Sequence, residues 1–242
     1  MSDAAAADPA AAQTTAELAA LVSECRLCPR LVAWREQAAA NPPARYASEP
    51  YWARPVPGWG DPNARVLLVG LAPAANGGNR TGRMFTGDRS GDFLNAALHR
   101  TGFANQAISV SRDDGLAVRG LYVTAAVRCA PPANKPIPAE RETCRPYLAR
   151  ELQLLGELRV IVALGGYAWD AVLRTLTVGG HRQPRDPAPR FGHLAEAAVG
   201  RYALLGSYHP SQQNTFTGRL TPEMLDAVLA RARDLAGSSG PR

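Results

Sequence analysis

A chain of 242 residues is long enough to bury a sizeable core as one large domain. Its 27 basic and 21 acidic residues give a net charge of +6, which suits a polyanionic partner such as nucleic acid and is spread along the chain rather than gathered in a tail. No apolar run approaches the length of a membrane span, which excludes a helical membrane anchor.

The first residues, Met1-Ser2-Asp3 and the alanines after them, lack the basic and apolar regions of a secretory leader. The chain is therefore expected in the cytoplasm, at the nucleoid of a bacterial-type cell. Residues 1–13 are Ala- and Pro-rich and residues 237–242 read Gly-Ser-Ser-Gly-Pro-Arg. Both are expected to be disordered tails around a single domain over 14–236. Thr14-Thr15-Ala16-Glu17 has the pattern of a capping box and opens a helix through Leu18, Leu21 and Val22. That helix leads to Cys25-Arg-Leu-Cys28. The Pro-rich stretch 42–62 is too irregular for a regular element and is expected to wrap the surface.

From Arg65 onward the pattern alternates. Apolar runs of strand length lie at 66–71, 121–127, 160–164 and 202–205. Helix-length segments lie at 92–100, 139–155, 167–176 and 222–235, the last opened by Thr221-Pro222-Glu223. Short, continuously apolar strands alternating with helices predict an α/β fold, a four-stranded parallel sheet flanked by helices. The segment 179–200 is an irregular insertion, a loop or an edge hairpin.

Polar signatures follow three of these strands, where ligands bind in open parallel sheets. The first strand runs into Ala72 and then Asn79-Arg80-Thr-Gly-Arg83-Met-Phe85-Thr-Gly-Asp88. The second runs into Cys129-Ala-Pro-Pro-Ala-Asn134-Lys135, and the fourth into His209-Pro-Ser-Gln-Gln-Asn214. The first loop is neither GxGxxG nor GxxxxGK[ST], so dinucleotide and Walker-type sites lack their defining residues. Phe85 also reads as a core aromatic, and Asp88 as a simple helix cap. The third strand ends in Gly165-Gly166 without an ionisable group and looks structural.

Four cysteines complete the set: Cys25, Cys28, Cys129 and Cys144. A cytoplasmic chain does not favour disulfides. Zinc prefers two tight knuckles, and the fourteen residues between Cys129 and Cys144 do not make one. Thiolates gathered from separate elements suit a [4Fe–4S] cluster, with zinc and buried unliganded cysteines as the alternatives.

These motifs together resemble the type-5 uracil-DNA glycosylases, the iron–sulfur branch of the uracil-DNA glycosylase superfamily, over nearly the whole chain from Cys25 to the final helix. The resemblance implies hydrolysis of the N-glycosidic bond of uracil and related deaminated or damaged bases in DNA, hydroxymethyluracil and hypoxanthine among them. It implies a [4Fe–4S] cluster on Cys25, Cys28, Cys129 and Cys144, and active-site roles for Asp88, Asn134 and His209. Where other branches carry a polar residue after the first strand, this chain has Leu71-Ala72.

A base inside a duplex must be flipped out to be cut. On this reading Phe85 stacks on the base, Asn134 pairs with its polar edge and Ala72 lies beside it. His209 donates a hydrogen bond to the departing anion, and Asp88 positions water or offsets the cationic sugar. Arg80, Arg83, Lys135 and Arg219 are the candidates for holding phosphates of double- or single-stranded DNA. Each also reads as solvated surface charge. Lys135 admits a Schiff-base lyase, but a monofunctional hydrolase acting as a monomer is the expectation. A non-catalytic iron–sulfur DNA-binding or sensor protein, or a cluster-carrying redox enzyme, are the competing classes.

Overall fold

A computed structural model describes residues 8–237. In chain order the regular elements are helices α1 (Thr15–Glu24) and α2 (Pro29–Ala40), strands β1 (Trp59–Gly60) and β2 (Val66–Gly70), helices α3 (Gly78–Thr81) and α4 (Arg89–Arg100), and strand β3 (Leu121–Ala125). Helix α5 (Pro138–Leu154), strand β4 (Val160–Leu164), helix α6 (Gly166–Val178), strands β5 (Glu196–Val199) and β6 (Tyr202–Ser207), and helices α7 (Gln212–Phe216) and α8 (Pro222–Gly237) follow.

The sheet has six strands in the order β1-β3-β2-β4-β6-β5. The four apolar runs form its parallel centre, β3, β2, β4 and β6. The expected four-stranded parallel sheet is therefore corrected: β1 and β5 add an antiparallel strand at each edge. Both were illegible for the same reason, since neither Trp59-Gly60 nor Glu196-Ala-Ala-Val199 carries the unbroken apolar run of a strand buried on both faces. Within the insertion 179–200, the edge-hairpin alternative is the one found, β5 pairing with β6.

Each central strand divides its side chains between two layers, as the pleat requires. Val66, Leu68, Leu121, Val123, Val160, Val162 and Leu205 pack with α4 and α8. Leu67, Val69, Ile161, Ala163 and Leu204 pack on the other face with α5 and α6. The crossover from β2 leads to β3 on one side, and the crossover from β3 passes back over β2 to β4 on the other. This reversal puts the carboxyl ends of β2 and β4 at a topological switch point, where such sheets open a crevice.

The N-terminal segment departs from the expected tail. Pro9–Ala11 form a short 3-10 turn capped by Asp8, Ala12 is buried, and the Arg150 guanidinium donates two hydrogen bonds to the Ala12 carbonyl at 2.6 and 2.9 Å. Residues 8–13 are thus packed, and the rest of that expected tail lies outside the described residues. Half of the expected capping box forms: the Glu17 N–H donates to Thr14 Oγ1 at 3.1 Å, while the Glu17 carboxylate accepts from the Gln13 N–H at 2.7 Å rather than from the N-cap Thr14. At the other end Gly237 closes α8, and residues 238–242 lie outside the described residues. No described helix is long and apolar enough to cross a membrane.

Candidate active site and thiol cluster

Phe85, in the loop from β2 to α4, has φ +53°, and Asn134, in the loop from β3 to α5, has φ +55°, a left-handed conformation costly for residues with a Cβ and typical of functional loops. A Cβ added at Gly70 would lie 2.7 Å from the Phe85 ring. One added at Gly77 would lie 1.8 Å from Asp88 Oδ2. Glycine at these two positions is what lets the aromatic ring and the carboxylate approach the backbone so closely.

Asp88 caps α4, its Oδ1 accepting from the Gly91 N–H at 2.9 Å. The capping role and a role in the site are therefore compatible, because the same residue lines a cavity of about 680 Å³ with Asn76, Gly77, Arg89, Asn134 and Gln212. Burial raises the Asp88 carboxyl above its ordinary range, although backbone N–H groups of Gly91 and Ser90 oppose the shift.

His209 lines a neighbouring cavity of about 260 Å³ with Leu71, Gly165, Tyr167, Phe191, Tyr208 and Arg219. Its ring lies 6.1 Å from the Phe85 ring, centroid to centroid. Burial lowers the imidazole to about 4, so it is neutral at neutral pH and carries one N–H to donate. The Asn214 amide donates to the His209 carbonyl at 2.8 Å and fixes the loop. Gln212 in the larger cavity and Asn214 beside the smaller one belong to α7, so the two hollows flank one loop.

The basic residues divide. Lys135 and Arg219 are exposed, and the Arg219 guanidinium covers the Tyr208 ring at 4.7 Å. Arg80 and Arg83 are buried, Arg80 at the lining of the larger cavity, and their donors are engaged within the protein. Arg80 donates to the carbonyls of Asn76 at 2.9 Å and Gly87 at 2.8 Å and pairs with Glu49. Arg83 donates to Thr86 and Ser109 at 2.9 Å and to both Asp114 oxygens at 2.7 and 2.8 Å. Both are clamps on the loop. Ala72 packs against the thiol cluster with Cys28 and Tyr167, and Tyr167 also lines the smaller cavity. Sequence reasoning missed Arg45, Tyr46 and Arg89 at the larger cavity and Phe191 at the smaller one. Arg89 was signalled by its place next to Asp88. The other three sit in segments whose irregularity hid them.

The four cysteines are unpaired and converge. Cys25 ends α1, Cys28 precedes α2, and Cys144 lies within α5. Cys28, Cys129 and Cys144 pack in one small cluster with Leu31 and Val127. Burial pushes the Cys129 thiol to about 11 and Cys144 to about 12, with neighbouring thiols adding to the shift. Donors oppose it: Arg35 Nη1 lies 3.0 Å from Cys129 Sγ, the Thr143 hydroxyl favours the charged form of Cys28, and the Arg128 backbone N–H does so for Cys144. Among the described residues no group of three or more His, Cys, Asp or Glu is placed to hold a metal ion. Four sulfurs with N–H and O–H donors aimed at them nonetheless make a donor set that fits an all-thiolate centre.

Residues 57–233 match the Uracil DNA glycosylase superfamily. The chain is 56% identical over 223 residues to the type-5 uracil-DNA glycosylase of Mycobacterium tuberculosis (strain CDC 1551 / Oshkosh), covering 91% of this chain and 81% of that one. It is 54% identical over 218 residues to the type-5 enzyme of Thermus thermophilus, covering 89% and 95%. It is 51% identical over 213 residues to that of Pyrobaculum aerophilum, covering 88% and 89%. With the mixed sheet and its parallel centre, the loops at the carboxyl ends of those strands and these likenesses together, the chain belongs to the uracil-DNA glycosylase superfamily, alongside the type-5 enzymes.

Proposed function

We propose that this protein is a DNA repair glycosylase that removes uracil and related deaminated or damaged bases, leaving an abasic site. The observation that carries the reading is that Asp88 and Asn134 line one cavity and a neutral His209 the adjoining one, with the Phe85 ring 6.1 Å from the His209 ring. The flipped base stacks on Phe85, and the Asn134 amide pairs with its polar edge. As the glycosidic bond breaks, the base leaves as an anion and the sugar gains oxocarbenium character. The His209 N–H stabilises the anion, and the Asp88 carboxylate offsets the sugar charge or holds the attacking water.

Exposed Lys135 and Arg219, with Arg45 and Arg89 at the rim of the larger cavity, form the track for phosphates of single- or double-stranded DNA. Lys135 contributes charge, and the enzyme is monofunctional. Cys25, Cys28, Cys129 and Cys144 would hold a [4Fe–4S] cluster, whose contribution is a cross-link between the N-terminal helices, the loop after β3 and α5. The protein works as a cytoplasmic monomer at the nucleoid.

Incubating the protein with uracil-containing and matched thymine-containing duplexes, then cleaving abasic sites with alkali, tests the reading. Strand breaks are expected only at uracil, and borohydride should trap no protein–DNA adduct. Intact uracil strands would overturn the proposal.

A further inference from the structure

Arg35, on α2, is 1% exposed, and among the described residues it forms no ion pair with a carboxylate. Its Nη1 donates to Cys129 Sγ at 3.0 Å and to the Cys25 carbonyl at 3.3 Å, and Nη2 reaches the same carbonyl at 3.4 Å. Its Nε is buried without a partner. The Asn79 amide, from the loop that carries Phe85 and Asp88, donates to the Arg35 backbone carbonyl at 3.1 Å.

Guanidinium groups stay charged in proteins, and burying one without a counter-charge is costly. A carbonyl and a neutral thiol are poor compensation. The chargeable group that the Arg35 donors touch is the sulfur of Cys129, with the centre it belongs to; the Glu36 carboxylate acts on the guanidinium without a hydrogen bond. Four thiolates on an iron–sulfur core leave that centre net negative, which is the charge the Arg35 site lacks.

We propose that Arg35 is a positioning residue for the cluster, holding Cys129 Sγ in place through its Nη1–H and offsetting the negative charge of the loaded site. The assignment rests on the [4Fe–4S] reading above. It makes two properties depend on Arg35: retention of the cluster, and its reduction potential, which hydrogen bonds and positive charge at the sulfurs raise. A guanidinium that merely packs α2 against the Cys25 turn would alter neither.

The test compares the full-length holoprotein with Arg35→Met, Arg35→Gln and Arg35→Lys. Iron and sulfide per chain, the rate of bleaching by an iron chelator, and the midpoint potential from a spectroscopic redox titration are read for each. Arg35→Met should bleach about 10–100-fold faster than the parent and shift to a more negative potential, with Arg35→Lys between them. If Arg35→Met does not fold, Arg35→Gln carries the comparison, because it keeps an N–H donor without the charge. A negative shift in Gln that Lys reverses supports the assignment. Parent-like potential and retention in the charge-removed variants would overturn it while leaving the cluster intact. A parent protein without iron and sulfide would overturn the cluster reading and this assignment together.

Discussion

His209 and Asp88 are tuned in opposite senses by the same cause. Burial disfavours the charged form of each, so the imidazole stays neutral to about pH 4 while the carboxyl takes up a proton above its usual range. Excision should therefore show no loss near pH 6.5 from protonation of His209. Its acid limb should lie above the ordinary carboxylate range and disappear in Asp88→Asn. A limb near 6.5 that vanishes in a His209 variant would reverse the assignment. His209 also has a stability signature. The unfolded imidazole takes up a proton before the folded one, so the parent loses stability relative to His209→Ala as pH falls from about 6.5 toward about 4. His209→Ala should slow single-turnover excision roughly 10²–10³-fold, the scale for one preorganised donor, and leave DNA binding almost unchanged.

The loop between β2 and α4 is the element on which the site depends, and its support is a matter of backbone approach and buried charge. In Gly77→Ala the new methyl would meet Asp88 Oδ2 at 1.8 Å, so the carboxylate must move. Single-turnover excision should fall roughly 10²-fold, with about 1 kcal/mol of stability lost if the cap on α4 breaks. Unchanged rates would show that Asp88 does not depend on its present position. Arg83 and Asp114 are only 6% and 7% exposed. Although burial pushes Asp114 upward, Arg83 and three backbone N–H groups hold it at about 2. Arg83→Met should lower stability by about 3–5 kcal/mol and leave the salt dependence of DNA binding intact. A reduced salt slope would restore Arg83 as a phosphate contact. The Asp114 contribution is present above about pH 4 and is lost as pH falls toward 2.

At the scale of the whole molecule, the order of strands and helices was legible because strands buried on both faces must be continuously apolar. The edges were not, since β1 is two residues long and β5 opens with a glutamate. The placement of Asp88, Asn134 and His209 at adjoining cavities was legible because strand-end loops converge in such sheets. The setting of Arg80 and Arg83 was not: sequence gives a charge but not whether neighbouring carbonyls and carboxylates already occupy its donors. Leu71, apolar at the mouth of the smaller cavity, ties the fold to the chemistry. With no polar residue there to activate water, the rate should lean on stabilising the departing base. The most direct measurement is a single-turnover series on duplexes that differ only in the target base: uracil, hydroxymethyluracil, hypoxanthine and cytosine. Uracil should be released, cytosine refused, and the rates of the others should rise with the acidity of the leaving base. No abasic sites at uracil, or rates unrelated to acidity among bases bound equally well, would contradict the account.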